Sequence, residues 1–260
     1  MHSPAVPRWQ VELSAVYVLW LREMLHLVRQ PVELAVSFVQ PAIFLIVFGL
    51  GVGKFFQLPQ ASVSYGAYLF SGLMAINVLF TALASGSTVT EDRRAGFLRE
   101  IVVAPVSRFA VVGGKALAGT TSGLVQGLIV LCFAPLVKVH CSFFHGLAAV
   151  GILVLLGFAL ACLGILLGVR LRSSQAFTLL MNFVMMPLTF LSGAFFPLSP
   201  LPGWFQAVAR VDPLAYGVDA LNALLLNTHL FSFQSDLAVL IAIAVLFASL
   251  AAVLFRSEET

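Results

Sequence analysis

Chemistry requires ionisable or nucleophilic side chains brought close together, and in this chain such groups are few. The densest group is Glu91-Asp92-Arg93-Arg94-Ala95-Gly96-Phe97-Leu98-Arg99-Glu100-Ile101-Val102-Val103-Ala104-Pro105-Val106-Ser107-Arg108. Phe97 with Ile101, and Leu98 with Val102, pair at i, i+4, which predicts a short helix with one apolar edge. Pro105 ends that helix, having no N–H to give. An apolar edge beside a charged flank suits insertion into a partner's groove. The docking surface is expected at Glu91, Arg94, Gly96, Phe97, Leu98, Glu100, Ile101 and Pro105. The competing reading is a solvated loop that merely carries charge. Elsewhere chemistry is scarce. Gly113-Gly114-Lys115-Ala116 ends like a phosphate loop, but Phe109 stands where its first glycine belongs and Ala116 where the Mg²⁺-holding hydroxyl belongs. No P-loop is present. His140, Cys141 and His145 lie near one another in sequence, and an ordinary polar loop explains them better than a metal site.

The elements that position these groups follow from composition. Of 260 residues, 60% are hydrophobic and only 10% charged, against roughly 25% charged in a soluble domain. Mean hydropathy is +1.03. There are 23 Phe against 4 Tyr and 3 Trp. A soluble enzyme, a nucleic-acid binder and a disordered tail are excluded, leaving an all-α integral membrane protein. Three cysteines, Cys132, Cys141 and Cys162, show no CxxC spacing. Cys132 and Cys162 are expected as buried thiols, with no disulfide framework. Residues 1–30 carry scattered charges and do not read as a cleavable signal.

A helix crosses the bilayer in about 20 apolar residues. Charge-free stretches place six spans at 34–53, 65–87, 116–137, 146–169, 176–196 and 237–255. An even number puts both termini on one side. If that side is cytoplasmic, the outer segments carry only Lys54, Lys138 and Arg210 of the 14 Lys and Arg residues. The positive-inside rule therefore places both termini of this multi-pass protein in the cytoplasm. Lys115, at the cytoplasmic end of the third span, is expected to snorkel to the headgroups.

Two segments do not span. Residues 8–30 read as an interfacial amphipathic helix: Arg8, Glu12, Arg22, Glu23, His26, Arg29 and Gln30 share one arc, opposite Trp9, Leu13, Val16, Tyr17, Trp20, Met24 and Leu27. Ala15 and Leu19 interrupt the polar arc. Residues 193–226 are apolar but broken by proline, and read as an outer re-entrant hairpin capping a pathway, with Arg210, Asp212 and Asp219 near the outer headgroups. Within the spans the polar groups are neutral: Gln40, Ser71, Asn77, Thr81, Gln126, Asn182 and Thr189. The absence of carboxylates there argues against proton coupling. Gly119, Gly123 and Gly127 form a tandem GxxxG read as internal packing.

Loop and hairpin together resemble the membrane subunit of ABC exporters of the type-2 permease family, which includes drug-resistance, nodulation-factor and polysaccharide export permeases. The loop carries the resemblance through Glu91, Gly96, Ile101, Ala104 and Pro105, and the hairpin through Ser192, Gly193, Phe196, Pro197, Leu201, Pro202, Trp204, Pro213, Leu214 and Tyr216. The resemblance implies that residues 91–108 are a coupling helix seated in a cleft of a separate ATPase subunit. It also implies that ATP and Mg²⁺ bind that partner rather than this chain, that two permease copies pair with two ATPases, and that Gly193, Phe196, Pro197, Pro202, Trp204, Pro213 and Tyr216 form an outer gate. The expected function is export of a hydrophobic or amphipathic substrate such as a drug, lipid or lipid-linked glycan. The alternatives are a membrane-embedded lipid-modifying enzyme, which would need a cluster of carboxylates or Ser/His at one depth, and an uncoupled channel, which would need a polar pore ring.

Overall fold

The computed structural model describes residues 7–29, 31–53, 63–95, 107–139, 142–171 and 173–257, and all regular structure among them is helical. The helices are α1 (Arg8–Val28), α2 (Pro31–Phe44), α3 (Tyr65–Ala84), α4 (Ser87–Arg94), α5 (Arg108–Leu131), α6 (Phe143–Arg170), α7 (Ser174–Leu191), α8 (Gly203–Ala209), α9 (Pro213–Leu226) and α10 (Phe233–Ser257). Helix α2 continues into a wider, π-type stretch, Leu45–Val52. Serine caps set three of the starts. Ser64, Ser107 and Ser173 hydroxyls accept the backbone N–H of Ala67, Ala110 and Ala176, each satisfying a donor the first helical turn leaves free.

Helix α3 is the centre. From Tyr65 to Leu83 it is buried except at Asn77, Phe80 and Thr81. Helices α5 and α6 flank it and pack on each other, α10 covers α6, and α1 lies along α5. The glycines read as packing residues are in those contacts: a Cβ on Gly123 would touch Val78 and Ala82 of α3, and one on Gly127 would meet Leu153 of α6. One end of the bundle, the loop end, carries α4 and the start of α5. The other, the hairpin end, carries Gly193 and α8. Helix α7 is packed along a single stripe, Phe177, Met181, Met185 and Thr189, and exposes Thr178, Asn182, Phe183 and Phe190.

Four stretches are long and apolar enough to cross a membrane: Tyr65–Arg94, Phe143–Arg170, Ser174–Leu191 and Phe233–Phe255. The expected spans at 34–53 and 116–137 fall on helix but do not meet that description. The first is divided between α2 and the π-type stretch. The second is diluted by Gly, Ser and Thr, and its helix stops at Leu131 before a 3₁₀ turn at Ala134–Val137. The span expected at 176–196 ends at Leu191, because Gly193 adopts φ +79°, a left-handed conformation that closes the helix. Cys162 is buried, but Cys132 is exposed, contrary to expectation, because it sits just past the end of α5.

Candidate functional site

At the loop end, α4 is held by polar side chains on two sides. The Asp92 carboxylate meets Lys115 Nζ of α5 at 2.5 Å and Arg22 Nη2 of α1 at 2.9 Å. Arg22 also meets Glu23 at 2.7 Å. Lys115 Nζ donates to Thr88 Oγ1 at 2.9 Å and lies 4.0 Å from Glu23. On its other side, Arg93 Nη2 donates to the Val169 carbonyl at 2.9 Å, a cation on the last turn of α6, where unpaired carbonyls gather. Thr90 Oγ1 lies 3.3 Å from Ser174 Oγ at the start of α7.

The expectation for Lys115 is corrected. Lys115 does not snorkel: its side chain is 1% exposed, because α1 covers that face of α5 and brings it counter-charges. On α1, part of the polar arc packs against the protein. Arg22 and Glu23 turn inward, and Leu19, which interrupted that arc, is the buried residue of α1. A Cβ on Gly114 would meet it at 3.0 Å. Trp20 Nε1 donates to Thr121 Oγ1 at 3.0 Å and completes the α1–α5 seam.

Beside this ionic cluster lies a cavity of about 1010 Å³ between α1, α2, α3 and α5. Its walls are mixed. Leu27, Val36 and Phe80 supply apolar surface, and Gln40, Asn77, Thr81 and Ser122 supply neutral hydrogen-bonding groups. Arg22, Glu23, Asp92 and Lys115 close its charged end. Such a cavity suits a molecule with an apolar body and a polar end.

At the hairpin end the chain is pinned rather than loose. Tyr68 of α3 donates its hydroxyl to the Gly193 carbonyl at 2.5 Å. Tyr216 donates to the Arg210 carbonyl at 2.7 Å and stacks on Phe231 at 5.2 Å. Pro202 caps α8 and Pro213 opens α9, where proline's fixed φ fits. Trp204 is exposed, while Phe196 and Pro197 are half-buried. Asp212 and Asp219 are buried within the protein. The chain folds both inward as caps: Asp212 accepts the Leu214 N–H at 2.8 Å, and Asp219 accepts those of Leu230 and Phe231, each at 2.8 Å. Arg210 is exposed.

Burial pushes the Asp212 carboxyl up to about 8, against the lowering effect of the backbone N–H groups of Leu214 and Ala215. Burial also raises Asp219, opposed by its two backbone donors. For Asp212 the folded chain keeps a proton that the unfolded chain, with an ordinary value of 3.8, has released. This contribution to stability is complete below about pH 4 and is lost as pH rises through about 8. Asp212→Asn keeps a capping oxygen but cannot ionise. Its thermal midpoint in detergent should therefore fall less than that of wild type between about pH 5 and about pH 9. Parallel curves would refute the assignment.

Of the expected docking residues, Glu91 and Arg94 are exposed in the last turn of α4. Gly96, Phe97, Leu98, Glu100, Ile101 and Pro105 lie outside the described residues. Sequence reasoning missed Asp92 as the hub of the ionic cluster, Lys115 as its buried partner, Asp219 as a cap and Asp236, wholly buried in the first turn of α10. Two like charges at Arg22 and Lys115, far apart in sequence, give no local signal that one carboxylate joins them.

Residues 14–226 match the profile of the ABC-2 type transporter family. The chain is 28% identical over 239 residues to the inner membrane transport permease YadH of Escherichia coli K12, covering 90% of this chain and 91% of that protein. It is 29% identical over 240 residues to the putative transport permease ycf38 of Porphyra purpurea, covering 87% and 78%. It is 30% identical over 213 residues to nodulation protein J of Rhizobium meliloti, covering 80% of each chain. With its apolar helices, the chain is thus a multi-pass membrane permease rather than an enzyme, and it belongs to the ABC-2 type transporter family.

Proposed function

We propose that this permease is the transmembrane subunit of an ATP-driven exporter of a hydrophobic or amphipathic substrate, such as a drug, lipid or lipid-linked glycan. Six spans cross the membrane, with α2 and its π-type continuation as the first and α5 as the third, and both termini lie in the cytoplasm. A separate ATPase subunit holds ATP and Mg²⁺ and receives Glu91, Arg94 and the loop that follows them in a cleft, while Asp92 of the same 91–108 segment is buried against the bundle. Closure of the ATPase pair moves the docked segments, the permease halves rock, and substrate leaves past the hairpin at 193–226.

The observation that carries this reading is where the docking segment is attached. Glu91 and Arg94 project from α4, which follows α3 after a turn at Ser85 and Gly86, and α3 is the most buried helix of the bundle. A push on the loop therefore reaches the core. The mixed cavity lies beside the same joint and serves as the loading site from the inner leaflet. The exposed face of α7 favours a second permease copy. Gln175, Thr178 and Asn182 lie there among Phe183 and Phe190, and lipid tails offer amides no partner.

Co-purification with the candidate ATPase tests the reading. Wild type should retain the ATPase, and Glu91→Arg with Phe97→Asp should lose at least ~10-fold in retained ATPase, a loss of about 1.4 kcal/mol or more, while remaining monodisperse. A wild type that purifies alone, or a variant that still binds, removes the docking role.

A further inference from the structure

The ionic cluster at Asp92 has a placement that stability does not account for. A buried lysine paired with a carboxylate is seldom better than a packed apolar pair, because desolvation offsets the attraction. Yet Lys115 is 1% exposed and Asp92 lies 2.5 Å from it. The packing of α4 shows what the charges add. Its backbone packs against α6 and α7. Its ties to α1 and α5 run through side chains: Asp92 to Arg22 at 2.9 Å, Asp92 to Lys115 at 2.5 Å, and Thr88 to Lys115 at 2.9 Å. Helices α1 and α5 are themselves joined along a long seam that includes Trp20 and Thr121. They form two walls of the large cavity, and Asp92 stands at its edge.

We propose that Asp92 is a positioning residue that carries motion of α4 to the α1–α5 pair, so that the loading cavity changes shape when the loop is displaced. The idea rests on the docking role proposed above. The physical requirement is a contact that keeps α4, α1 and α5 together as one unit when the loop is displaced. A carboxylate bridging two long cationic side chains meets it, since charge attraction falls off gradually with distance whereas side-chain packing is lost within an ångström or so. The neutral sum of Arg22, Glu23, Asp92 and Lys115 lets the cluster sit at the cavity edge without an unpaired charge. Arg22, paired with Glu23 as well, keeps a partner if Asp92 lets go.

The test uses the permease–ATPase complex, with Cys132, Cys141 and Cys162 replaced and spin labels at Leu13→Cys on α1, Ala95→Cys after α4 and Phe143→Cys at the hairpin end of α6. All three positions are exposed. Distances are measured without nucleotide and after vanadate trapping. Expected in otherwise wild-type protein is a change of roughly 2–5 Å between Leu13 and Phe143, the scale of helix shifts, with the Leu13–Ala95 distance constant because the two helices move together. In Asp92→Ala with Lys115→Met, a charge-neutral pair, the ATPase should still co-purify and the Ala95–Phe143 change persist. The Leu13–Phe143 change should fall to under about a quarter. An undiminished Leu13–Phe143 change in that variant overturns the proposal. So does a Leu13–Ala95 distance that varies in wild type, which needs no variant to fold. Loss of the ATPase from the wild-type complex is a different failure: it removes the docking role, and this inference with it.

Discussion

Gly164→Leu is expected to lower bundle stability by about 3 kcal/mol or more, the upper end of overpacking costs. A Cβ on Gly164 would sit 2.2 Å from the Leu83 carbonyl oxygen, and one on Gly86 would sit 2.0 Å from the Gly164 carbonyl oxygen. Gly168 meets the same turn, with 2.3 Å to the Gly86 carbonyl oxygen. In all three cases the obstruction is backbone, which cannot rotate aside as a side chain does. Helix α6 would have to withdraw from the end of α3, and that separation would also unseat Leu83, Ile165 and Phe177, all buried. Close approach of small residues is how membrane helices gain packing energy when lipid is as apolar as the protein. The temperature at which half the protein stays monodisperse should fall by roughly 6–12 °C. Gly151→Leu is the control, since a Cβ there meets nothing within 4 Å. Equal behaviour of the two variants would mean that α6 does not approach α3 this closely.

Asp92→Ala is expected to cost about 3–5 kcal/mol, because removing one member of a buried ion pair leaves the other charged and buried. Lys115, 1% exposed, would keep only Thr88 at 2.9 Å and a distant Glu23 at 4.0 Å. Asp92→Ala with Lys115→Met should recover most of that loss, since an apolar replacement of the whole pair is often neutral or stabilising. Thermal denaturation of the two variants and of Lys115→Met completes the cycle. Additive effects would show that the two residues do not interact, and the cluster would then be a property of neither stability nor coupling. The recovery is also what lets the double variant serve in the distance measurements, where only the link between helices is to be removed.

Much of the architecture was readable along the chain. The stretches 65–87, 146–169 and 237–255 correspond to helices within a few residues, because a long charge-free run leaves the chain few alternatives in lipid. The proline and glycine positions of the hairpin act locally too, though the span expected to 196 overlooked the stop at Gly193. Pro213 can open a helix but not continue one, and Gly193 takes a left-handed φ of +79°. The tandem glycines of α5 were correctly read as internal packing, yet the closer crossing at Gly164 and Gly168 carried an equal spacing and was passed over. Spacing says that a helix face is small. It does not say how near another backbone comes.

Sequence by itself determined that this protein is helical and lies in a membrane, that it lacks a phosphate loop, and that the loop at 91–108 and the hairpin at 193–226 resemble those of type-2 permeases. These are properties of composition and of neighbours in the chain. Only the tertiary structure decided that Asp92 joins Arg22 and Lys115, residues 70 and 23 positions away. It likewise turned the interrupted polar arc of α1 inward at Leu19 and withdrew Asp212 and Asp219 from the surface into helix and loop caps. A charge near a helix end can face headgroups or a neighbouring helix at the same position in sequence. Which it faces depends on what packs over it, and that is settled by contacts between residues far apart along the chain.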